Sequence, residues 1–411
     1  MGHHATAAPQ SVNPNTSVKI GFVSPYDWSH EGGVRSHIMH LAAELERMGH
    51  TTGIITSATG EKGRQAEPNI TKLGWAMPIP WNGSIARIAV SPTLARQTRA
   101  VLEREQFDVI HLHEPLAPAL PITTLRVIKG LGAVNVGTFH AFAPNKIMSM
   151  PRFSYRTARF ALRYYFNRLD GRIAVSPAAY QFISRYFPGD YRIIPNGVDL
   201  HRFSILAEPL PQFVDGKLNI LYMGRIEPRK GLKYLLQAIP QIRAQYPNTR
   251  FIIGSDGPKR AYYEEQVRRY GWPDVVFVGR VPDEQLPRYY ASCDLFCAPS
   301  TGSESQGVVL LEAMASSKPV VASDIDGYRG VIRQEEDGIL VAPRNSVALA
   351  GAICRLLGNA TLRKAMGERG REHAGDFSWP RIASRISDYY QELIEQHAYS
   401  KSQHHNLFAL L

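Results

Sequence analysis

Two carboxylates stand eight positions apart in the run Glu304-Ser305-Gln306-Gly307-Val308-Val309-Leu310-Leu311-Glu312. The apolar stretch before it, residues 294–299, predicts a buried strand, and residues 308–315 predict a helix. Glu304 therefore falls on the connecting loop, and Glu312 about one turn inside the helix. Gly307 lets the backbone turn sharply and come close to a ligand. The unpaired amides of Val308 and Val309, with the helix dipole, make an anion site. A phosphate held there has carboxylates nearby for hydroxyl groups. In outline this is a site for a sugar joined to a nucleotide through phosphate.

A second group, Gly224-Arg225-Ile226-Glu227-Pro228-Arg229-Lys230-Gly231, follows a strand-like run at 218–222 and precedes a helical one. Its cations Arg225, Arg229 and Lys230 sit at a strand's carboxyl end. Arginine clamps phosphate through its fork, and lysine supplies a point charge; the plainer alternative is a solvated surface run. Gly32-Gly33 lies between the first predicted strand, 18–23, and the helical run 34–48. The full G-x-G-x-x-G spacing is absent, and no acid is placed for an adenosine ribose. Gly33 serves either a tight turn or the approach of a pyrophosphate.

His140 ends the run 137–139, again at a carboxyl end, where a histidine is either structural or catalytic. His111 and His113 flank Leu112 and share one strand face, with no third ligand close in sequence. Asp324 and Asp326 lack a supporting third acid, and turn chemistry accounts for them. No metal site is expected. Cys293, Cys297 and Cys354 read as buried small hydrophobes rather than a disulfide framework.

Residues 151–172 carry six arginines and one acid. Arg152, Arg156, Arg159 and Arg163 are spaced to share one helical face. Phe153, Phe160, Leu162, Tyr164 and Phe166 supply apolar and aromatic surface elsewhere. Such a helix lies on anionic lipid headgroups. It equally suits an outer helix that packs its aromatic side on a sheet and leaves arginines in water.

These groups need elements to position them. With 411 residues the chain predicts two domains, and 44% hydrophobic with 20% charged residues is ordinary for a soluble globular protein. No apolar run approaches the roughly 18 to 20 residues needed to cross a bilayer. Residues 1–17 lack the apolar core of a signal peptide and read as a disordered extension, which points to the cytoplasm. The net charge of +11 is uneven: residues 1–198 hold 21 Lys and Arg against 12 Asp and Glu, and residues 199–411 hold 26 against 24. A basic first half suggests an anionic partner: nucleic acid, a phosphorylated substrate or an acidic membrane. Nucleic acid gives no reason for Glu304 and Glu312, because carboxylates oppose a polyanion.

Strand-like runs at 18–23, 52–56, 107–113 and 135–139 alternate with helical ones. The pattern restarts after Asn196-Gly197, with strands at 218–222, 250–253, 275–278, 295–298 and 319–322. This predicts an α/β protein of two doubly wound, Rossmann-like domains, 18–198 and 199–378, with parallel sheets. A helix at 379–397 and a mobile polar tail at 398–411 follow. Ligands of such sheets bind beyond the strands' carboxyl ends, so the site belongs in the cleft between the domains.

On Glu304 to Glu312, Gly32-Gly33, Gly224 to Lys230 and Pro195-Asn196-Gly197-Val198-Asp199, the chain resembles the family-4 retaining glycosyltransferases of GT-B fold, over residues 18–395. Pro80-Trp81-Asn82-Gly83-Ser84-Ile85-Ala86-Arg87, His111-Leu112-His113-Glu114-Pro115 with Ala117-Pro118, and Gly137-Thr138-Phe139-His140 narrow the likeness to phosphatidylinositol mannosyltransferases. The resemblance implies GDP-mannose as donor, no metal requirement, and a phosphatidylinositol-type lipid on the inner face of the plasma membrane as acceptor. It implies that Gly33 approaches the donor diphosphate, that Arg225 and Lys230 neutralise it, and that the amides of Val308 and Val309 bind it. Glu312 would take the ribose, Glu304 the hexose, and His140 would touch the sugar near its reacting face. Arg280 would lie near the base, and Asn82, Ser84 and Arg87 would meet the inositol phosphate beside Tyr26 and Arg35.

The chain departs from that pattern at Trp81, where tyrosine is common, at Ser29, where an acid is, and at Gln306, where phenylalanine is. The basic membrane helix of the family corresponds to residues 91–106, whose Arg96, Arg99 and Arg104 face Glu103 and Glu105. The arginine-rich segment 151–172 would then share membrane contact. The alternative within the class is a UDP-sugar-dependent hexosyltransferase with another lipid or soluble acceptor. A non-catalytic anion-binding protein is the alternative outside it.

Overall fold

Ile20, Phe22 and Val23 are all buried, as expected of a strand covered on both faces. They belong to β1 (Lys19–Asp27), the middle of the first sheet. The computed structural model describes residues 17–59, 67–81, 84–143 and 155–408. Beside β1 lie β2 (Thr51–Ser57) and β3 (Ile70–Lys72), followed in the chain by a hairpin, β4 (Trp75–Trp81) and β5 (Ser84–Val90). Then come β6 (Val109–His113), β7 (Val134–Phe139), β8 (Gly171–Ala174) and β9 (Arg192–Ile193). The order β3-β2-β1-β6-β7-β8-β9 is parallel throughout. The antiparallel hairpin joins it through Tyr26, paired with Ile88.

The second sheet repeats this plan. It consists of β10 (Leu218–Met223), β11 (Thr249–Gly254), β12 (Val275–Gly279), β13 (Leu295–Ala298), β14 (Val320–Ser323) and β15 (Gly338–Val341), in the parallel order β12-β11-β10-β13-β14-β15. In each sheet the winding reverses beside the first strand, at β1/β6 and β10/β13. Such switch points open a crevice at the strands' carboxyl ends. His113, Gly224 and Ser300 lie at or just beyond those ends.

Helices cover both faces. On the first sheet, Ile38, Leu41 and Leu45 of helix Gly33–Arg47 pack with Ile20, Phe22, Val109 and Val136. The opposite face buries Val101, Leu102, Leu125, Leu162 and Phe166. The predicted tail does not begin at 398: the last helix runs Trp379–Phe408. No glycine or proline follows residue 397 to break it. This helix returns to the first domain, where Ile382, Ile386, Tyr390 and Leu393 complete the core. The chain therefore passes between domains twice, side by side, with Val198 bridged to Ser378.

The arginine-rich segment is also not one continuous helix. A bend at Ala158 separates the helical residues 155–157 from helix Arg159–Phe166, so no unbroken helical face runs from Arg156 to Arg163. Arg152 lies outside the described residues. Arg156, Arg159 and Arg163 are exposed, and Leu162 and Phe166 are buried. Phe160 and Tyr164 stay exposed among the arginines rather than packing inward, at 81% and 60%. Among the described residues no helix is long and apolar enough to cross a membrane.

Candidate active site

The two sequence clusters of the second domain form one site. Past β13 the chain turns through Ser303, at φ +60°, and Gly307, at φ +80°. A Cβ on Gly307 would stand 2.5 Å from the Tyr328 ring, so both backbone and space require glycine there. Helix Val308–Ala315 then begins without a side-chain cap, leaving its first amides for a ligand. Glu304 is buried, with its Oε1 2.7 Å from Arg229 Nη1 and 2.8 Å from Lys230 Nζ. The Arg229 Nε is 2.6 Å from Oε1 of the buried Glu227, and Arg225 Nε is 3.8 Å from its Oε2. Carboxylates and cations thus alternate around one point. Gly231, at φ +73°, presses against the same loop; a Cβ there would lie 1.8 Å from the Pro299 carbonyl oxygen.

Sequence reasoning gave no role to Glu227 and left Arg229 an unassigned cation. An acid set among three cations was the available signal, because it marks cations held in place rather than loose in water. Glu312 accepts a hydrogen bond from the Tyr290 hydroxyl at 2.7 Å. Burial raises its pKa, while that bond and Arg202 pull the other way. Arg280 is exposed just past β12.

Across from this loop, Gly32 has φ −175°, extended backbone that any residue adopts. Neither Gly32 nor Gly33 is needed there for a left-handed backbone. Among the described residues nothing lies within 4 Å of a Cβ placed on Gly33, at the start of helix Gly33–Arg47.

His140, just past β7, joins a cluster that sequence spacing hid. His113 Nδ1 lies 2.9 Å from His140 Nε2, and the His37 ring meets both edge-on at centroid distances of 5.1 and 4.9 Å. A ring nitrogen from each of the three lies within 4.8 Å of the others, so these described residues could share a metal ion. His37 comes from a different element, which is why no third ligand was evident. His111 is occupied structurally, 2.6 Å from the Tyr390 hydroxyl and 2.6 Å from Thr138 Oγ1. Burial pushes His37 down to about 4 and His111 down to about 3, and depresses His113 and His140 as well. All four rings are therefore neutral near pH 7. Glu114 holds the turn carrying His140: its Oε1 accepts from the amides of His140 and Ala141 at 2.6 Å each. Burial pushes its carboxyl up to about 7.

The pairing of Tyr26 with Ile88 anchors the hairpin at the carboxyl end of β1. This brings the expected acceptor residues of β5 to one place. The backbones of Ser84 and Arg87 are registered against Trp81 and Pro78, and Asn82 lies outside the described residues. Burial raises the Tyr26 pKa. The Arg35 guanidinium lies 5.2 Å over the Trp28 ring. On helix Leu94–Glu105, Arg96 is exposed, but Arg99 does not fit membrane contact. It donates to Glu103 at 2.6 Å and to the carbonyls of Val127 and Lys129 at 2.7 and 2.9 Å, which fixes it against the protein. Asp324 and Asp326 pair with Arg329 at 2.5 and 3.1 Å.

Two Rossmann-like domains, with carboxylates and cations gathered at the strand ends, give the architecture of a glycosyltransferase of the GT-B type. Residues 31–202 match the family model Glycosyltransferase Family 4, and residues 210–373 match Glycosyl transferases group 1. The chain belongs to this glycosyltransferase family. It is 35% identical to the phosphatidyl-myo-inositol mannosyltransferase of Mycobacterium leprae, over 91% of this chain and 96% of that one. With the enzyme of the same name from Mycobacterium tuberculosis it shares 34%, over 91% and 97%. In fold it is similar to sucrose-phosphate synthase from Thermosynechococcus elongatus, with TM-score 0.74 and 23% identity over 92% of this chain and 100% of that one. Anabaena HepE in complex with UDP is similar at TM-score 0.72 and 19% identity, over 91% and 100%.

Proposed function

We propose that this glycosyltransferase moves mannose from GDP-mannose, with retention of the α configuration, onto a phosphatidylinositol-type lipid at an anionic membrane surface. The observation that carries the reading is the likeness to phosphatidyl-myo-inositol mannosyltransferases over 91% of the chain, spanning both domains. The donor diphosphate lies between Gly33 and the first amides of helix Val308–Ala315. Arg225 and Lys230 stabilise charge growing on the leaving group, with no metal required. Glu304 holds the hexose, Glu312 the ribose, and Arg280 lies beside the base. His140, neutral and fixed through Glu114 and His113, faces the sugar. Asn82, Ser84 and Arg87 take the inositol phosphate, with Tyr26 and Arg35 beside it. Lipid contact falls to Arg96 and to the exposed Arg156, Arg159 and Arg163, with Phe160 and Tyr164 at the headgroup level. The site of action is the inner face of the plasma membrane.

The test presents GDP-mannose and UDP-glucose separately to the full chain, each with phosphatidylinositol vesicles. Mannosylated inositol lipid from GDP-mannose alone is the expected product. Transfer from UDP-glucose alone would replace the donor assignment, and no glycosylated inositol lipid from either would refute the acceptor.

A further inference from the structure

The donor loop is tied to the junction between domains by a side chain that the donor site does not use. Gln306 is 2% exposed. Its Oε1 accepts from both the backbone amide and the Nδ2 of Asn196, at 2.7 Å each, and its Nε2 donates to the Asn196 carbonyl at 3.1 Å. This leaves Asn196 Oδ1 as acceptor for His37 Nδ1, at 2.9 Å, which places the His37 proton on Nδ1. The His37 ring in turn lies edge-on against His140, 4.9 Å between centroids. Gln306 stands two residues from Glu304 and immediately before Gly307. An unbroken set of contacts therefore runs from the loop holding Glu304, through Asn196 where the chain leaves the first domain, to His140.

We infer that Gln306 is a positioning residue that holds the donor loop of one domain and the His140 face of the other in a single register. An apolar side chain there would strand the Asn196 amide, side-chain nitrogen and carbonyl in a dry site, and the junction would relax to satisfy them elsewhere. The catalytic half of this inference rests on the mannosyltransferase reading; the mechanical half does not.

Two measurements on Gln306→Leu separate them. The described cysteines are buried, so spin labels can be directed to Glu103→Cys and Arg268→Cys, both exposed and one in each domain. The interdomain distance distribution is read with and without the substitution, in the presence of GDP or UDP. In parallel, kcat is measured with GDP-mannose and phosphatidylinositol vesicles, and nucleotide affinity by calorimetry. Expected are a broadened distribution and a kcat lowered by about tenfold or more, with nucleotide Kd within about threefold. An unchanged distribution overturns the inference, as does a loss of nucleotide affinity matching the loss of kcat. If the parent chain transfers no mannose, the distance measurement still decides the mechanical claim.

Gln306→Glu serves if the leucine variant does not fold. It keeps an acceptor for Asn196 but donates to the Asn196 carbonyl only when protonated. Its interdomain distribution should narrow toward the parent's as pH falls, and a pH-independent distribution overturns the inference.

Discussion

Replacing Lys230 with alanine probes the donor site most directly. Its Nζ lies 2.8 Å from Glu304 Oε1, and Arg229 reaches the same oxygen at 2.7 Å. Glu304 therefore keeps a cation when Lys230 is removed, and no buried carboxylate is orphaned. On the proposed reading, what disappears is a positive charge beside the leaving diphosphate. Two unit charges 4 Å apart interact by about 4 kcal/mol at an effective dielectric of about 20. Only the share that appears as the glycosidic bond breaks accelerates the reaction. Loss of one such stabilising group in a closed site costs about 3 to 4 kcal/mol, or about 10² to 10³ in kcat. The assay is initial-rate transfer of labelled mannose from saturating GDP-mannose to phosphatidylinositol vesicles, with thermal unfolding run beside it. The expected result is a kcat below detection, or lowered by that factor, with Tm shifted by no more than about 3 °C. Near-normal kcat would remove Lys230 from the chemistry. A raised KM with unchanged kcat would make it a ground-state binder instead.

Gly231→Ala should lower Tm and weaken nucleotide binding together, because φ is +73° and the new Cβ would sit 1.8 Å from a backbone oxygen of the donor loop. Gly33→Ala, which meets nothing within 4 Å among the described residues, should leave Tm unchanged, and equal effects of the two would refute the packing argument. Burial raises the Glu114 carboxyl from 4.5 to about 7, so its stabilising contribution is present below the unfolded pKa and lost as pH rises through the folded one. Glu114→Gln should therefore gain on the parent between pH 4.5 and 7, by up to about 1.4 kcal/mol per pH unit in urea unfolding. A difference that stays constant with pH would show that Glu114 titrates normally. His37 and His111 have the opposite sign. Their contribution is present above the unfolded value of 6.5 and lost as pH falls toward about 4 and about 3, so the parent should unfold steeply in acid.

Local signals reached the cluster around Glu304 well, since the structure brings Arg229 and Lys230 onto it. Strand, glycine turn and helix start lie within about a dozen residues at Glu304, and the cations of 225–230 sit directly after their strand. Periodicity likewise gave the central parallel strands of both sheets, which are short, apolar and alternate with helices, but not the hairpin Trp75–Val90 or the outer strands β3, β8, β9 and β15. What escaped was everything set by distant pairing. His37, His113 and His140 come from three elements, and neither spacing nor residue type says that their rings meet. Arg99 read as a headgroup ligand because its helix has the right place in the chain; only packing against the segment after Val127 shows where its protons go. The arginine segment failed for another reason. Helical spacing was sound within 159–166, but the bend at Ala158 is a backbone choice that no side chain announces.

The return of the last helix has a consequence for how the molecule is made. Ile382, Ile386, Tyr390 and Leu393 fill the part of one sheet face that helix Gly33–Arg47 does not cover, on a sheet whose strands end at Ile193. The ribosome therefore releases nearly all of the first domain with that part of the face uncovered, while the second domain is still being translated. At about 5 to 20 residues per second, the interval is on the order of ten to forty seconds. The second domain, whose strands and covering helices are contiguous in sequence, can finish first. The half that is born first is thus the half that folds last, and during that wait the exposed part of its apolar face is the surface a chaperone would guard.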